Sequence, residues 1–455
     1  MQINTSSLQS QPRIVYAIFL LVTLTPLYYV SYQYHLRHPY GSSSPLDRPA
    51  HPASPQFIRD WLDTHVVSPF NPYALEWYCN QSDWRPGLVF NLANANGGIG
   101  NIRGNMLDFL FQSIEAGASI LLPGMASRSD EDLSNVWASR SPFDHFFDEE
   151  WFLKTVQKAC PEMSVYKPQP DQPLKEAVPG VFYPRSRRAD TDFGNSKRAY
   201  LEGLQTFLDE HGQVEPDNVT LVDLERTLWE IDTRSLPLNF RRDFGQLLRI
   251  NPTIRRLAAV VVQQLSLKFG VDIDPRIAIP RGAFYGAHLR TESDAQNAGW
   301  LDETNANFSA QTDSYIAQAL NHKLKVIYVA SGNATDLALF RRKALSHAPP
   351  LNVTSKFDLL PPNEAAALKD MTWDQQALVD YEVLQRCSIF GGLAKSSFSY
   401  NIAMTRNQWL EDQGRVNDPW MVQHSEDGVS FDDGISRVLA RDGVHEQRIP
   451  RGMWP

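Results

Sequence analysis

The stretch Phe284-Tyr285-Gly286-Ala287-His288-Leu289-Arg290-Thr291-Glu292-Ser293-Asp294 constrains this chain more than any other. It begins as a short apolar, aromatic run, the pattern of a buried strand. It then sets His288, Arg290 and Asp294 at or just past that strand's carboxyl end. In open α/β sheets, ligands bind at that edge. An arginine there suits an anion, because its planar fork pairs with phosphate through two bonds and keeps its charge at any working pH. The plainer alternative is a strand end whose arginine and aspartate form a structural ion pair.

The same alternation of strand, turn and helix occurs in both halves. Residues 88–92 read as a strand that runs into a glycine-rich turn at 93–101. A helical pattern follows through Met106, Leu107, Phe109, Leu110, Phe111 and Ile114, and residues 119–123 read as the next strand. This is a β–α–β unit, the start of a doubly wound domain. Residues 130–192 read as loop-rich. Helices are expected at 199–211 and 240–269, the second kinked or broken at Pro252. In the second half the spacing predicts a strand at 284–289, a helix at 310–322, a strand at 325–330 and helices at 336–345 and 373–387. A short strand at 388–392, a helix opening at Ser397 and a short helix at 434–441 complete the pattern.

With 455 residues the chain has room for two domains, and a boundary is expected near 270–280. A hydrophobic fraction of 42% and a charged fraction of 21% are those of a globular protein. The net charge of -9, with no dense Lys/Arg stripe, argues against a sequence-independent nucleic-acid binder. Residues 14–34 differ from the rest. They are predominantly apolar and uncharged, between Arg13 and Arg37, with Tyr28, Tyr29, Tyr32 and Tyr34 at the far end. A bilayer core takes about 20 such residues, with aromatics at its edge. A cleaved signal peptide is the rival, but the flank Ser31-Tyr32-Gln33-Tyr34-His35 lacks a small-residue cleavage pattern.

The expected order is therefore a short cytosolic tail at 1–13, a transmembrane anchor at 14–34, an extended stem at 35–56, and globular parts at 57–275 and 276–455. Sequons at Asn80, Asn218, Asn307, Asn333 and Asn352 agree with a single-pass type II protein of the Golgi or endoplasmic reticulum membrane, its bulk lumenal. The cysteines are Cys79, Cys160 and Cys387, with no metal-ligand spacing. One bridge is open to them in an oxidising lumen, and Cys79–Cys160 is the expected pair.

Two further stretches carry chemistry. Gly97-Gly98-Ile99-Gly100-Asn101-Ile102-Arg103 lies at a strand-to-helix turn, where glycines let the backbone approach a ligand and free N–H groups meet an anion. A dinucleotide fingerprint fits imperfectly, because Gly104 falls one place late. Ser396-Ser397-Phe398 opens a helix, so its serines are ordinary caps or part of a phosphate site.

In this order and spacing, these stretches resemble the GDP-fucose protein O-fucosyltransferase superfamily of glycosyltransferases over roughly residues 88–406. The G-x-x-G-N turn matches at Gly97, Gly100 and Asn101, and H-L-R-x-x-x-D at His288, Leu289, Arg290 and Asp294. The late segment matches at Asp380, Phe390, Gly392, Ser396, Ser397 and Phe398. The resemblance implies an α/β GT-B fold of two Rossmann-like lobes, the first on the acceptor side and the second holding the nucleotide-sugar donor. It implies inverting transfer of a sugar from a GDP-sugar, GDP-fucose above others, to a protein or glycan acceptor, without an essential metal or other cofactor. Arg290 and Asn101 become the catalytic candidates. Gly97, Gly98, Gly100, His288, Asp294, Ser396, Ser397 and Phe398 become the donor-binding candidates.

Arg290, Ser397 and the last helix's N–H groups would stabilise the leaving phosphate. Asn101 and the glycine turn would close over the sugar, and His288 and Asp294 would orient Arg290 or bind the nucleotide. Two positions depart from the pattern. The turn Ala330-Ser331-Gly332-Asn333 replaces an A-T-D type, and Gly98 stands where some relatives carry a glutamate as candidate base. Two rivals remain. One is a metal-dependent GT-A transferase using Asp190-Thr191-Asp192 or Asp272-Ile273-Asp274. The other is a membrane-anchored sugar-binding protein that keeps the fold without the chemistry.

Overall fold

The computed structural model describes residues 53–168, 174–184, 196–212, 214–415, 428–440 and 452–455. The expected tail, anchor and most of the stem lie outside the described residues, as does Asp190-Thr191-Asp192. Among the described residues no helix is long and apolar enough to cross a membrane.

Two mixed α/β layers are each built on a largely parallel sheet. The first holds β1 (Leu88–Leu92), β2 (Ser119–Leu121), β5 (Val165–Tyr166), β6 (Ala177–Phe182) and β7 (Thr220–Leu224), in the order β5-β2-β1-β7-β6. All its pairings are parallel. Between β2 and β5 the chain makes an antiparallel ribbon of β3 (Met125–Ser127) and β4 (Ser139–Ser141). Leu88, Val89, Phe90 and Leu92 of β1 are buried, as expected of a central parallel strand covered on both faces.

The loop-rich reading of 130–192 is corrected here. The ribbon's second strand, β5 and β6 fall in that region, as does the helix Glu149–Ala159, which Asp148 caps by accepting the Trp151 N–H at 3.0 Å. Strands of two or three residues are too short to show a period. The sequence reading also lacked β7, although it pairs with β1 from Leu88↔Thr220 to Leu92↔Leu224. Asp223 interrupts its apolar run, and the structure explains the interruption: the Asn91 side chain donates to Asp223 at 2.7 Å.

The second sheet holds β8 (Tyr285–His288), β9 (Val326–Ala330), β10 (Asn352–Thr354), β11 (Ile389–Leu393), β12 (Val429–Asp432) and β13 (Ser436–Leu439), in the order β10-β9-β8-β11-β13-β12. Only β12 runs antiparallel to its neighbour. The short helix expected at 434–441 is instead β13, which pairs along β11 from Phe390↔Ser436 to Leu393↔Leu439. The missed signal is Asp433-Gly434 ahead of an apolar run, a hairpin turn.

Four helices position the cleft described below: α1 (Ile99–Ala116), α2 (Pro252–Phe269), α3 (Trp373–Gln385) and α4 (Ser397–Asp412). Almost every residue of α1 is buried. Pro252 starts α2 rather than bending a longer helix; Asn251 caps the end by accepting the Thr253 N–H at 2.8 Å. The preceding helix, Leu238–Gly245, is separate.

Two ties cross long sequence distances. Cys79 and Cys160 form a disulfide, whereas Cys387 is free and buried. Trp454 is buried against Phe111 and Phe244, with ring centroids 5.6 and 4.7 Å away. Its indole N–H donates to Asp108 at 2.8 Å, and Arg103 donates to the Trp454 carbonyl at 2.9 Å. Burial pushes the Asp108 carboxyl up to about 7.

Candidate active site

A cleft of about 460 Å³ lies where the carboxyl edges of the two sheets face each other. The first sheet supplies mainly backbone. After β1 the chain turns at Gly97, whose φ of +100° disfavours side chains; a Cβ there would stand 2.6 Å from Asn101 Nδ2. α1 then starts against the start of α4. A Cβ on Gly100 would lie 2.6 Å from Ser397 Oγ and 2.8 Å from the Ser397 carbonyl carbon, so only glycine fits this approach. The Ser397 hydroxyl donates to Asn101 Oδ1 at 2.7 Å across the seam.

Among the described residues no side-chain cap hydrogen bond closes the N-terminus of α1 or α4. The capping role considered for Ser396 is therefore not what its side chain does. Two helix N-termini meet with their leading N–H groups uncapped, which favours an anion between them. Gly98, Gly100, Asn101, Ser396, Ser397 and Phe398 all line the cleft, and Gly97 shapes the turn from behind it.

The second sheet supplies charge. Arg290 follows β8 and is buried in the cleft wall. Its Nη1 donates to Glu292 at 2.6 Å and its Nη2 to Asp294 at 2.6 Å. Burial works against the guanidinium's charge, but Glu292 and Asp294 outweigh it and hold its pKa above the ordinary value. Burial would likewise raise both carboxyls, yet Arg290 pulls each below its usual range. The pair considered from the sequence is thus present, and it is larger than expected: Glu292 also accepts the Gly332 N–H at 2.8 Å.

His288 stands apart from this network. Its Nδ1 lies 2.8 Å from Ser399 Oγ and its ring 4.6 Å from the Phe398 ring. Burial lowers its pKa to about 4, with Glu292 opposing and Arg290 assisting, so the imidazole is neutral. Of the two residues expected to orient Arg290, Asp294 does so; His288 makes no bond to it among the described residues.

Several cleft residues escaped sequence reasoning. Glu292 lay inside the stretch singled out, between two residues already chosen. Asp380 was matched as a motif position without a role; Lys356 at 2.5 Å and the Tyr328 hydroxyl at 2.6 Å take up its two oxygens. Burial raises the Asp380 carboxyl, and Lys356 opposes it. Arg128 enters from the end of β3 and donates to Asp294 at 2.8 Å, while its backbone N–H reaches Asp374 at 3.0 Å. No local spacing could have announced that contact across 166 residues.

Asp272 and Asp274 lie outside this cleft, on a separate depression, where Asp274 pairs with Arg276 at 2.8 Å. Among the described residues no cluster of His, Cys, Asp and Glu is arranged to hold a metal ion.

No curated protein sequence matches this chain. Among solved structures, POFUT1 in complex with GDP is similar at 13% identity, covering 72% of this chain and 96% of that one, with a TM-score of 0.41. POFUT1 in complex with GDP-fucose is similar at 12% identity, covering 72% and 95%, with a TM-score of 0.43. A mutant of Arabidopsis thaliana FUT1 in complex with GDP is similar at 13% identity, covering 80% of each, with a TM-score of 0.37. The family model for GDP-fucose protein O-fucosyltransferase matches residues 88–408, from the start of β1 to within α4. With that match spanning both walls of the cleft, the chain belongs to the GDP-fucose protein O-fucosyltransferase family and is a glycosyltransferase of the O-fucosyltransferase type.

Proposed function

We propose that the protein transfers fucose from GDP-fucose to a hydroxyl of a protein or glycan acceptor, with inversion at the sugar's C1. The observation that carries this reading is Arg290, buried at the carboxyl end of β8 and fixed by two carboxylates opposite two uncapped helix ends. The acceptor oxygen attacks C1 while the bond from C1 to the diphosphate breaks. The bonding electrons leave on the phosphate, and the hydroxyl's proton is released. Charge grows on the phosphate in the transition state, and a fixed cation with aligned N–H groups stabilises it there without reorganising. Arg290 carries this role, with Ser397 and the leading N–H groups of α4 beside it. Asn101 and the Gly97–Gly100 turn close over the sugar and acceptor, while Ser396, Phe398 and His288 bound the nucleotide side.

On this reading the two sheets are the lobes of a GT-B transferase, 57–275 and 276–455. The described part stands in the lumen of the Golgi or endoplasmic reticulum behind an anchor at 14–34 and a stem at 35–56. The test is ligand stabilisation, because a ligand that binds only the folded state raises the melting temperature. GDP and GDP-fucose should raise it where UDP- and CMP-sugars do not, and the fucosylated product should carry the inverted anomer. Stabilisation by a UDP-sugar with manganese, and none by GDP, would sink the proposal.

A further inference from the structure

Arg128 is a cleft cation that the sequence pattern did not announce. It directly follows β3, on the first-sheet side, and its side chain is only 8% exposed. One edge of its guanidinium is engaged: Nη1 donates to the Leu133 carbonyl at 2.6 Å and to Asp294 Oδ2 at 2.8 Å. The other edge makes no hydrogen bond among the described residues: Nε is buried without a hydrogen-bond partner and has only a 3.7 Å ion pair with Asp374. Nη2 makes no hydrogen bond among the described residues, and it lies 3.5 Å from where a Cβ on Gly98 would stand. The Nε–Nη2 edge of an arginine presents two parallel donors, the arrangement that takes two oxygens of one phosphate. A buried Nε donor left without a hydrogen bond is costly, which points to a ligand that completes it.

We propose that Arg128 is a second guanidinium for the donor's diphosphate, bound through its Nε–Nη2 edge beside the Gly98 turn. This rests on the GDP-sugar reading of the cleft. Asp294 Oδ2 accepts from both Arg128 and Arg290, so one carboxylate oxygen holds the two guanidiniums side by side, one from each wall. The diphosphate then lies between cations whose spacing is set before it arrives, and its binding joins the two walls. Gly98 acquires a reason as well. Its φ of -68° and ψ of 166° would admit other residues, so backbone conformation does not demand glycine there. A side chain at 98 would enter the space that Arg128 faces, and an acidic one would occupy the open edge.

The experiment measures the affinities of GDP and GMP for the full chain and for Arg128→Ala, Arg128→Lys and Gly98→Glu, with melting temperatures alongside. GMP lacks the second phosphate. Losing a charge-assisted pair should lower GDP affinity by about tenfold or more in Arg128→Ala, while GMP affinity changes by about threefold or less. Arg128→Lys should recover part of the preference for GDP, because it restores charge without the fork. Gly98→Glu should lower the same preference with Arg128 still in place. If Arg128 is only a strut between the walls, Arg128→Ala lowers the melting temperature and weakens GDP and GMP alike, and the proposal is overturned. An unchanged GDP-to-GMP ratio overturns it too. Failure of the unaltered protein to bind GDP would overturn both this inference and the donor reading beneath it; normal GDP binding that Arg128→Ala leaves intact overturns this inference alone.

Discussion

The two walls of the cleft are made of different materials. The wall after β1 is backbone: a glycine turn, a helix end and Asn101, with Arg128 as its charged member. The wall after β8, β9 and β11 is made of buried ions, in which Glu292 and Asp294 hold Arg290, and Lys356 pairs with Asp380. The contrast assigns separate tasks. Backbone cannot change charge, so the first wall fixes shape and distance. The ionic wall fixes potential, and its residues have little freedom to move because each carboxylate is already held. A substitution in the second wall should therefore act on charge development. One in the first should act on how closely the walls approach.

The hardest test of that division is Arg290→Ala. It should lower the transfer rate by about 10²–10³, the usual loss when one donor to a developing oxyanion is removed. Arg290→Lys should recover only part of the rate. A well-folded Arg290→Ala protein with normal transfer would show that the ionic wall is structural alone.

Next in size is an acid effect at the one neutral member of the charged wall. His288 has a folded pKa of about 4 against 6.5 for the free side chain. As pH falls below 6.5 the unfolded chain takes up the proton first, so stability is full above 6.5 and is lost between 6.5 and about 4. The slope for one such group is at most about 1.4 kcal/mol per pH unit. His65, also lowered to about 4 by burial and by Arg249, Arg255 and Arg386, adds in the same direction. Urea melts at several pH values should therefore show a shallower decline for His288→Gln than for the unaltered chain. Equal slopes would mean that His288 is charged in the folded cleft.

A smaller effect belongs to the backbone wall. Gly100→Ala places a methyl 2.6 Å from Ser397 Oγ and 3.0 Å from the Phe398 amide nitrogen. Overpacking of this kind costs about 1–3 kcal/mol. Because it forces the two helix starts apart, GDP affinity should fall with stability. A stable Gly100→Ala protein with full affinity would show that the walls need not touch.

The smallest expected effect is none: GDP binding and transfer should survive excess EDTA. Loss of both, restored by manganese, would replace the arginine-based account of either wall.

How much of this was legible in the sequence follows the same division. β8 and β9 are buried throughout, and apolar save for His288 at the end of β8, so their runs could be read directly, and Arg290 could be placed at a strand end. The glycine turn was visible for the same local reason. β7 was not, because Asp223 breaks its run and finds its partner in Asn91, far along the chain. Arg128 and Asp374 were invisible because their significance is the 246 residues that the fold brings together. Propensity and period report on neighbours in sequence; an ion lattice is made of neighbours in space. His288 was expected either to orient Arg290 or to bind the nucleotide; it lines the cleft and faces Ser399 and Phe398 rather than Arg290, which leaves the second alternative.

Trp454 bears on the history of each molecule as well as on its final shape. Its ring fills the space between Phe111 and Phe244, and its N–H reaches Asp108. Those partners leave the ribosome hundreds of residues before it does. During synthesis the first sheet can assemble, but that pocket stays open and Asp108 lacks its donor until residue 454 has emerged. Such contacts between distant residues form slowly, and the waiting surface is the kind that aggregates or recruits chaperones. A chain stalled shortly before Trp454 would carry nearly the whole cleft and still display an unsealed core, a mark by which quality control could tell it from one that has passed that point.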